Sequence, residues 1–291
     1  MPRPSRALLA LALALALGAA LAAPARAEER IKVRLEGGAV QELRLEDYVA
    51  GVVAGEMPAS FPPEALRAQA VAARSYALTR KIEADRTGKP WHIGSGVLAQ
   101  VYRGRHSPAA RAAAAATAGE VLVHGVLPVE AYFHGSCGGA TESGAAALGR
   151  DLPYLGSAAC GFCDAAPGAR WERRFSGVEL GRAARLPGPA DAVRVASRTA
   201  SGRAARVALA RGAREVVLAA ADLRQRLGWS RLPSVAFEVA AAADGFVFTG
   251  RGQGHGAGLC QHGAAGMARA GRTYREILAH YYAGAEIVRM Y

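Results

Sequence analysis

Two Ala-rich apolar segments, broken at Gly55-Glu56-Met57-Pro58, constrain this chain more than any other feature. Glu46 to Gly55 reads as a short helix that ends at the break. Pro62-Pro63 fits the first turn of a second helix running to about Ala84. That helix carries Ala65, Ala68, Ala70, Ala72, Ala73 and Ala77, small residues that let another element approach closely. Glu56 therefore sits at a helix break among apolar neighbours, with no basic residue nearer in sequence than Arg44 and Arg67. Such a carboxyl is partly desolvated. Desolvation raises its pKa, and a Glu that holds its proton near neutral pH is what a general acid needs. The competing reading, a Glu that caps or salt-bridges a surface turn, is not separated from this one by position alone.

The remaining pattern predicts an α+β fold: one elaborated domain of mixed helices and short strands, with a small β-rich subdomain inserted. Ile31 to Leu35 and Val40 to Leu45 alternate around Gly37-Gly38 as a hairpin. Short strands are expected at Leu98 to Tyr102, Val121 to His124 and Leu127 to His134, with a helix from Ser107 to Ala118 between the first two. Gly135 to Gly168 reads as a long structured loop, the kind that is functional or pinned by cross-links. Residues 171–234 read as the inserted subdomain, including capping box Ser176 to Glu179. Residues 235–291 then complete the region that residues 28–170 begin. They hold a Gly-rich stretch and helices near Leu259 to Ala270 and Thr273 to Ala283.

Residues 1–27 read as a secretory signal peptide: Arg3 and Arg6, an apolar run from Leu8 to Leu21, and small residues around a cut before Glu28. The product would be exported to the periplasm or cell envelope. Left uncleaved, the same segment would act as an N-terminal membrane anchor. Formal charge is +12, and +9 without Arg3, Arg6 and Arg26. Outside the cytoplasm nucleic acid is not the expected partner, so the excess points to an anionic envelope polymer or membrane surface. Part of it also fits the codon bias of an Ala/Arg-rich genome.

Four cysteines follow, Cys137, Cys160, Cys163 and Cys260. His134-x-x-Cys137 with Cys160-x-x-Cys163 has the spacing of a closed structural zinc site. A disulfide from Cys137 to Cys160 or Cys163 would pin the same loop without metal. Cys260 reads as a buried inert thiol, and His262 as ordinary surface or core.

Two segments carry a family resemblance: Leu45 to Pro58 continued by Pro63 to Leu78, and Gly250 to Ala268 followed by Tyr274 to Tyr282. Gln100-Val-Tyr-Arg-Gly104, Thr117-Ala-Gly-Glu-Val-Leu122 and Tyr132-Phe-His-Gly-Ser-Cys-Gly-Gly139 agree in the same order. Over residues 43–157 and 248–287 the chain resembles the SpoIID/LytB family of stage II sporulation and amidase-enhancer proteins. The resemblance implies work on peptidoglycan. The sporulation branch consists of lytic transglycosylases that cut between N-acetylmuramic acid and N-acetylglucosamine in peptide-stripped strands, with the E-M-P glutamate, here Glu56, as catalytic acid. It also implies substrate contacts at Gln100 and Thr117, and His255 and Gln261 in the second segment read as further substrate-binding residues. Some members bind zinc, but their ligands do not map onto these positions, so zinc and disulfide both stay open.

One carboxyl suits this chemistry. A hydrolase ordinarily needs two, and only Asp47 and Glu64 lie near Glu56 in sequence. A lytic enzyme would use Glu56 first to protonate the glycosidic oxygen. It would then use it to deprotonate the muramyl C6 hydroxyl as the 1,6-anhydro ring closes. No cofactor is required for that step. The Gly250 to Gly258 stretch either offers amides to a sugar carboxylate or N-acetyl group or permits close packing beside the Glu56 helix. His255 would touch substrate or orient Glu56. The rival function is a non-catalytic wall-binding enhancer of a cell-wall amidase. A zinc or cysteine peptidase lacks both an open metal motif and a nucleophile–base pair.

Overall fold

The computed structural model describes residues 28–291, so the expected leader lies outside the described residues. The chain is α+β, with helices and several small sheets around two hydrophobic cores. It opens with the antiparallel hairpin Arg30–Arg34 and Val40–Arg44. Helix α1 (Leu45–Glu56) follows, with Glu46 and Asp47 favourably placed in its first turn. It stops at Met57, which is extended because Pro58 follows.

Helix α2 (Pro63–Thr87) starts on a proline and ends at Gly88 in the left-handed region. Every residue from Ala68 to Leu78 is buried, so three turns of this helix have no solvent face. The alanines make that possible. Helix α1, helix α3 (Pro108–Ala116, capped by Ser107) and the strand Glu120–His124 all pack on it. Arg74 and Ser75 inside it are matched, whereas the buried Gln69 Nε2 finds no partner among the described residues. Arg74 donates to both oxygens of Glu46 (2.9 and 2.6 Å) and to the carbonyls of Ala114 and Glu120. The Ser75 hydroxyl bonds the Val71 carbonyl and accepts from the Leu122 amide.

Leu98 to Tyr102 is loop, not the strand expected from its pattern. Its polar groups face inward to helices instead of to a neighbouring strand. The Gln100 side chain bonds Tyr48 and the Ala73 carbonyl, and the Val101 amide bonds Glu56. The expected strand 127–134 survives only as Leu127–Pro128 and Phe133–His134, because Pro128 ends the pairing and Val129 to Tyr132 turn tightly.

The long loop contains one short helix, α4 (Gly144–Leu148). Beyond it, strands Phe237–Ala242, Gly245–Arg251 and Arg170–Phe175 form one antiparallel sheet. Strands Ala192–Arg198, Ala204–Arg211 and Arg214–Ala219 form another. With α5 (Gly177–Ala184) and α6 (Ala220–Leu227) they enclose a second core around Trp171, Phe175, Leu180, Leu223 and Phe248. That core takes in Phe237, Phe246 and Phe248, so it extends past residue 234.

The chain then returns to the first core. Leu259–Cys260 pairs parallel with Phe133–His134, and α7 (Gln261–Arg269) and α8 (Tyr274–Tyr281) pack on α2. Capping boxes start both α5 and α8. A strand absent from the sequence reading, Glu286–Arg289, joins Glu120–His124. Among the described residues, no helix is long and apolar enough to cross a membrane.

Candidate functional site

Glu56 is the last residue of α1, and its carboxyl is half-buried. One oxygen, Oε1, accepts the Val101 amide at 2.8 Å. The other, Oε2, lies 3.4 Å from Nε2 of Gln261, at the start of α7. The same Gln261 nitrogen lies 3.4 Å from Oε1 of buried Gln69 on α2. Burial is the strongest influence on the carboxyl and raises its pKa. The Val101 amide, Gln261 and the charge of exposed Arg103 each pull it down, but the net shift is upward. Among the described residues, its hydrogen bonds come from the Val101 amide and Gln261, and no carboxylate shares a proton with it.

Gly55 allows this arrangement. A Cβ there would stand 2.4 Å from the Val101 carbonyl oxygen, so only glycine lets the 100–103 loop lie directly against the end of α1. Gln100 then anchors that loop from the inside.

Three of the expected substrate contacts sit inside the protein with internal partners. Gln100 and Thr117 are both fully buried. Gln100 is held by the Tyr48 hydroxyl (2.9 Å) and the Ala73 carbonyl (3.2 Å), and Thr117 bonds the Ala113 carbonyl and Arg74. Polar side chains with all their partners inside the protein have nothing left to offer a sugar. His255 is also committed internally, through Nε2 to the Phe133 carbonyl and Nδ1 to the Ala257 amide. Burial lowers its pKa to about 4. The groups that touch Glu56 are Gln261 and the Val101 amide, and the His255 bonds lie elsewhere.

The Gly250 to Gly258 stretch packs on residues 132–137 and not beside α1. At Gly258 (φ +69°) a Cβ would overlap the Tyr132 carbonyl oxygen at 2.0 Å. Three of its amides are taken up by protein carbonyls: Gly252 by Ala169, Gln253 by Ser136 and Gly254 by Pro233. The packing reading prevails over the ligand reading.

The cysteine set differs from the expected one. Cys137, Cys160, Cys163 and Cys260 are free and buried, and their sulfurs all lie within 4.8 Å of one another. His134 is outside the group and bonds the Ala257 carbonyl through Nδ1. Cys260 takes the fourth position because the parallel pairing of Leu259–Cys260 with Phe133–His134 carries it beside the Cys137 turn. Cys260 also caps α7 by accepting the Gly263 amide. Local spacing could not place Cys260. The one available signal was a fourth cysteine left over from the motif.

The comparisons with known proteins follow this geometry. A family model described as Stage II sporulation protein matches residues 35–124, the stretch that holds Glu56, Arg74, Gln100 and Thr117. A model described as a domain of unknown function matches residues 170–258, the part enclosing the second core. Stage II sporulation protein D of Bacillus subtilis is 31% identical over 271 residues, covering 87% of this chain and 77% of that protein. An uncharacterised protein of Brachyspira hyodysenteriae is 34% identical over 255 residues, 86% of this chain and 68% of that one. The Amidase enhancer of Bacillus subtilis is 27% identical over 287 residues, 81% of this chain but 40% of that protein. A relative matched along most of both chains and a family model laid across the Glu56 region agree, and the chain belongs to the SpoIID/LytB family.

Proposed function

We propose that this protein acts on the bacterial cell wall as an exported lytic transglycosylase, with Glu56 as its single acid and base. Membership of the family supports a cell-wall role. The observation that carries the finer reading is the setting of Glu56: a half-buried carboxyl with raised proton affinity, hydrogen-bonded among the described residues by Val101 and Gln261 and not by another acid.

In the first step the protonated carboxyl gives its proton to the glycosidic oxygen between muramic acid and glucosamine, and the muramyl C1–O bond breaks as glucosamine leaves with its oxygen as a hydroxyl. Burial keeps that proton on Glu56 at higher pH than in water. In the second step the resulting carboxylate takes the proton of the muramyl C6 hydroxyl, and O6 closes on C1 to form the 1,6-anhydro end. The Val101 amide and Gln261 stabilise the carboxylate between the two steps. Arg103 is exposed and lowers the Glu56 pKa, so it supplies a positive charge of the sign that suits the free carboxylate of a peptide-stripped muramyl residue.

The second reading is a wall-binding enhancer of an amidase, favoured by the likeness to the Amidase enhancer. One experiment separates the two. Peptide-free glycan strands are incubated with wild type and Glu56→Gln, and products are read by mass spectrometry. Anhydro-ended products from wild type alone support the lytic reading. Reducing-end products, or cleavage by the variant, overturn it. Absence of cleavage by either leaves the enhancer reading in its place.

A further inference from the structure

We infer that Cys137, Cys160, Cys163 and Cys260 form a closed four-thiolate site for a structural zinc ion. This inference is independent of the reading of Glu56. The four residues come from three separate stretches: the turn after Phe133–His134, the irregular segment after α4, and the cap of α7. Their sulfurs nevertheless converge on one region no wider than 4.8 Å. A tetrahedral ion with zinc–sulfur bonds of about 2.3 Å sets its ligand sulfurs roughly 3.8 Å apart, so the observed spread fits a single ion. A cubane iron–sulfur cluster seats each cysteine on a different iron and needs wider separation.

The surroundings fit thiolates. The Cys137 and Gly263 amides both point to Cys260 Sγ, at 3.2 and 3.3 Å, as amides do around metal-bound sulfur. Four thiolates on one zinc carry a net charge of −2. Buried Arg203 lies alongside, donating to the carbonyls of Cys137 (2.6 Å) and Ala140 (2.8 Å). Soft sulfur donors in a buried pocket select zinc over magnesium or calcium. All four cysteines are buried, so no position is left open for water or substrate, and the role is structural.

The ion would fasten the stretch 149–168, which has no helix or long strand, to both the first core and α7. Tyr154 and Leu155 already anchor the middle of that stretch in the first core, and the isolated bridge between Ala140 and Ala159 leads into the Cys160 to Cys163 end that the ion would hold.

The test uses the full chain, made in zinc-supplemented medium and purified without chelator. Plasma mass spectrometry should find about one zinc per chain and no stoichiometric iron. Thiol titration in denaturant with chelator should find all four cysteines reduced. Cobalt(II) exchanged into the wild type should give the intense charge-transfer bands of a four-thiolate site. Cys260→Ser should release its metal to a competing chelator at least roughly ten-fold more readily, whereas His134→Ala should keep it. Metal-free protein with paired thiols overturns the inference, as does a cobalt spectrum with fewer thiolates or metal loss in His134→Ala alone. The wild-type measurements decide even if Cys260→Ser does not fold.

Discussion

Gln261 Nε2 stands 3.4 Å from Glu56 Oε2 across 205 residues of sequence. Its N–H favours the charged form of the carboxyl. Gln261→Leu therefore raises the Glu56 pKa further. The alkaline limb of a cleavage rate profile should move to higher pH while folding is kept. A profile that stays in place would show that Gln261 does not govern this proton.

Glu56→Gln should lower glycan cleavage by about 10²–10⁴-fold, the range for removing a general acid. Its effect on stability has a definite sign. A folded-state pKa raised above the unfolded one stabilises the protein below the unfolded value, near 4.5. That contribution is lost as pH rises through the folded value. The variant should thus unfold at higher temperature than wild type at pH 8, and the difference should vanish below about pH 4. Thermal melts at the two pH values measure it.

Gly55→Ala should reverse the usual sign of such a change. Within a helix, alanine is ordinarily better than glycine by about 1 kcal/mol. Here the new Cβ would meet the Val101 carbonyl at 2.4 Å, and backbone does not yield as a side chain does. We expect a net loss of roughly 1–3 kcal/mol in urea denaturation. Cleavage should fall as well, since the Val101 amide leaves Glu56.

Arg74 and Thr117 separate a core role from a substrate role. Arg74→Met leaves Glu46 without its buried partner and should cost about 3–5 kcal/mol. Thr117→Val removes one neutral hydrogen-bonding group and should cost about 1 kcal/mol. Binding of glycan strands by Thr117→Val should equal wild type. A selective loss of affinity would return Thr117 to the cleft.

His255 should make stability fall in acid. Its folded pKa, near 4, lies below the ordinary 6.5, so the unfolded chain binds the extra proton first. The stabilisation is complete above pH 6.5 and drains away as pH drops toward 4. His255→Asn should flatten that part of the pH–stability curve.

Much of the helical framework was legible because it is written locally. The helix break at Gly55 to Pro58, the prolines opening α2 and both capping boxes are short-range signals, and each appears in the structure. Polar residues in apolar surroundings were harder. Gln100 and Thr117 look the same in sequence whether they line a cleft or serve buried backbone, and only the packing of α2 decides. Arg74 carried a usable signal: a lone arginine amid alanines must find its partners in other elements. The partners of Cys260 and Gln261 were hidden differently, because they arrive from distant segments through the pairing of Leu259–Cys260 with Phe133–His134.

The order of these pieces along the chain has a consequence for biosynthesis. Glu56, Val101 and Gln69 are made early, but Gln261 and the Cys260 cap come after the whole of the second core. A chain leaving the ribosome or crossing a membrane N-terminus first carries an unfinished carboxyl environment until α7 has emerged and docked. The surroundings of Glu56 are thus complete only once residue 261, far along the described chain, has been made.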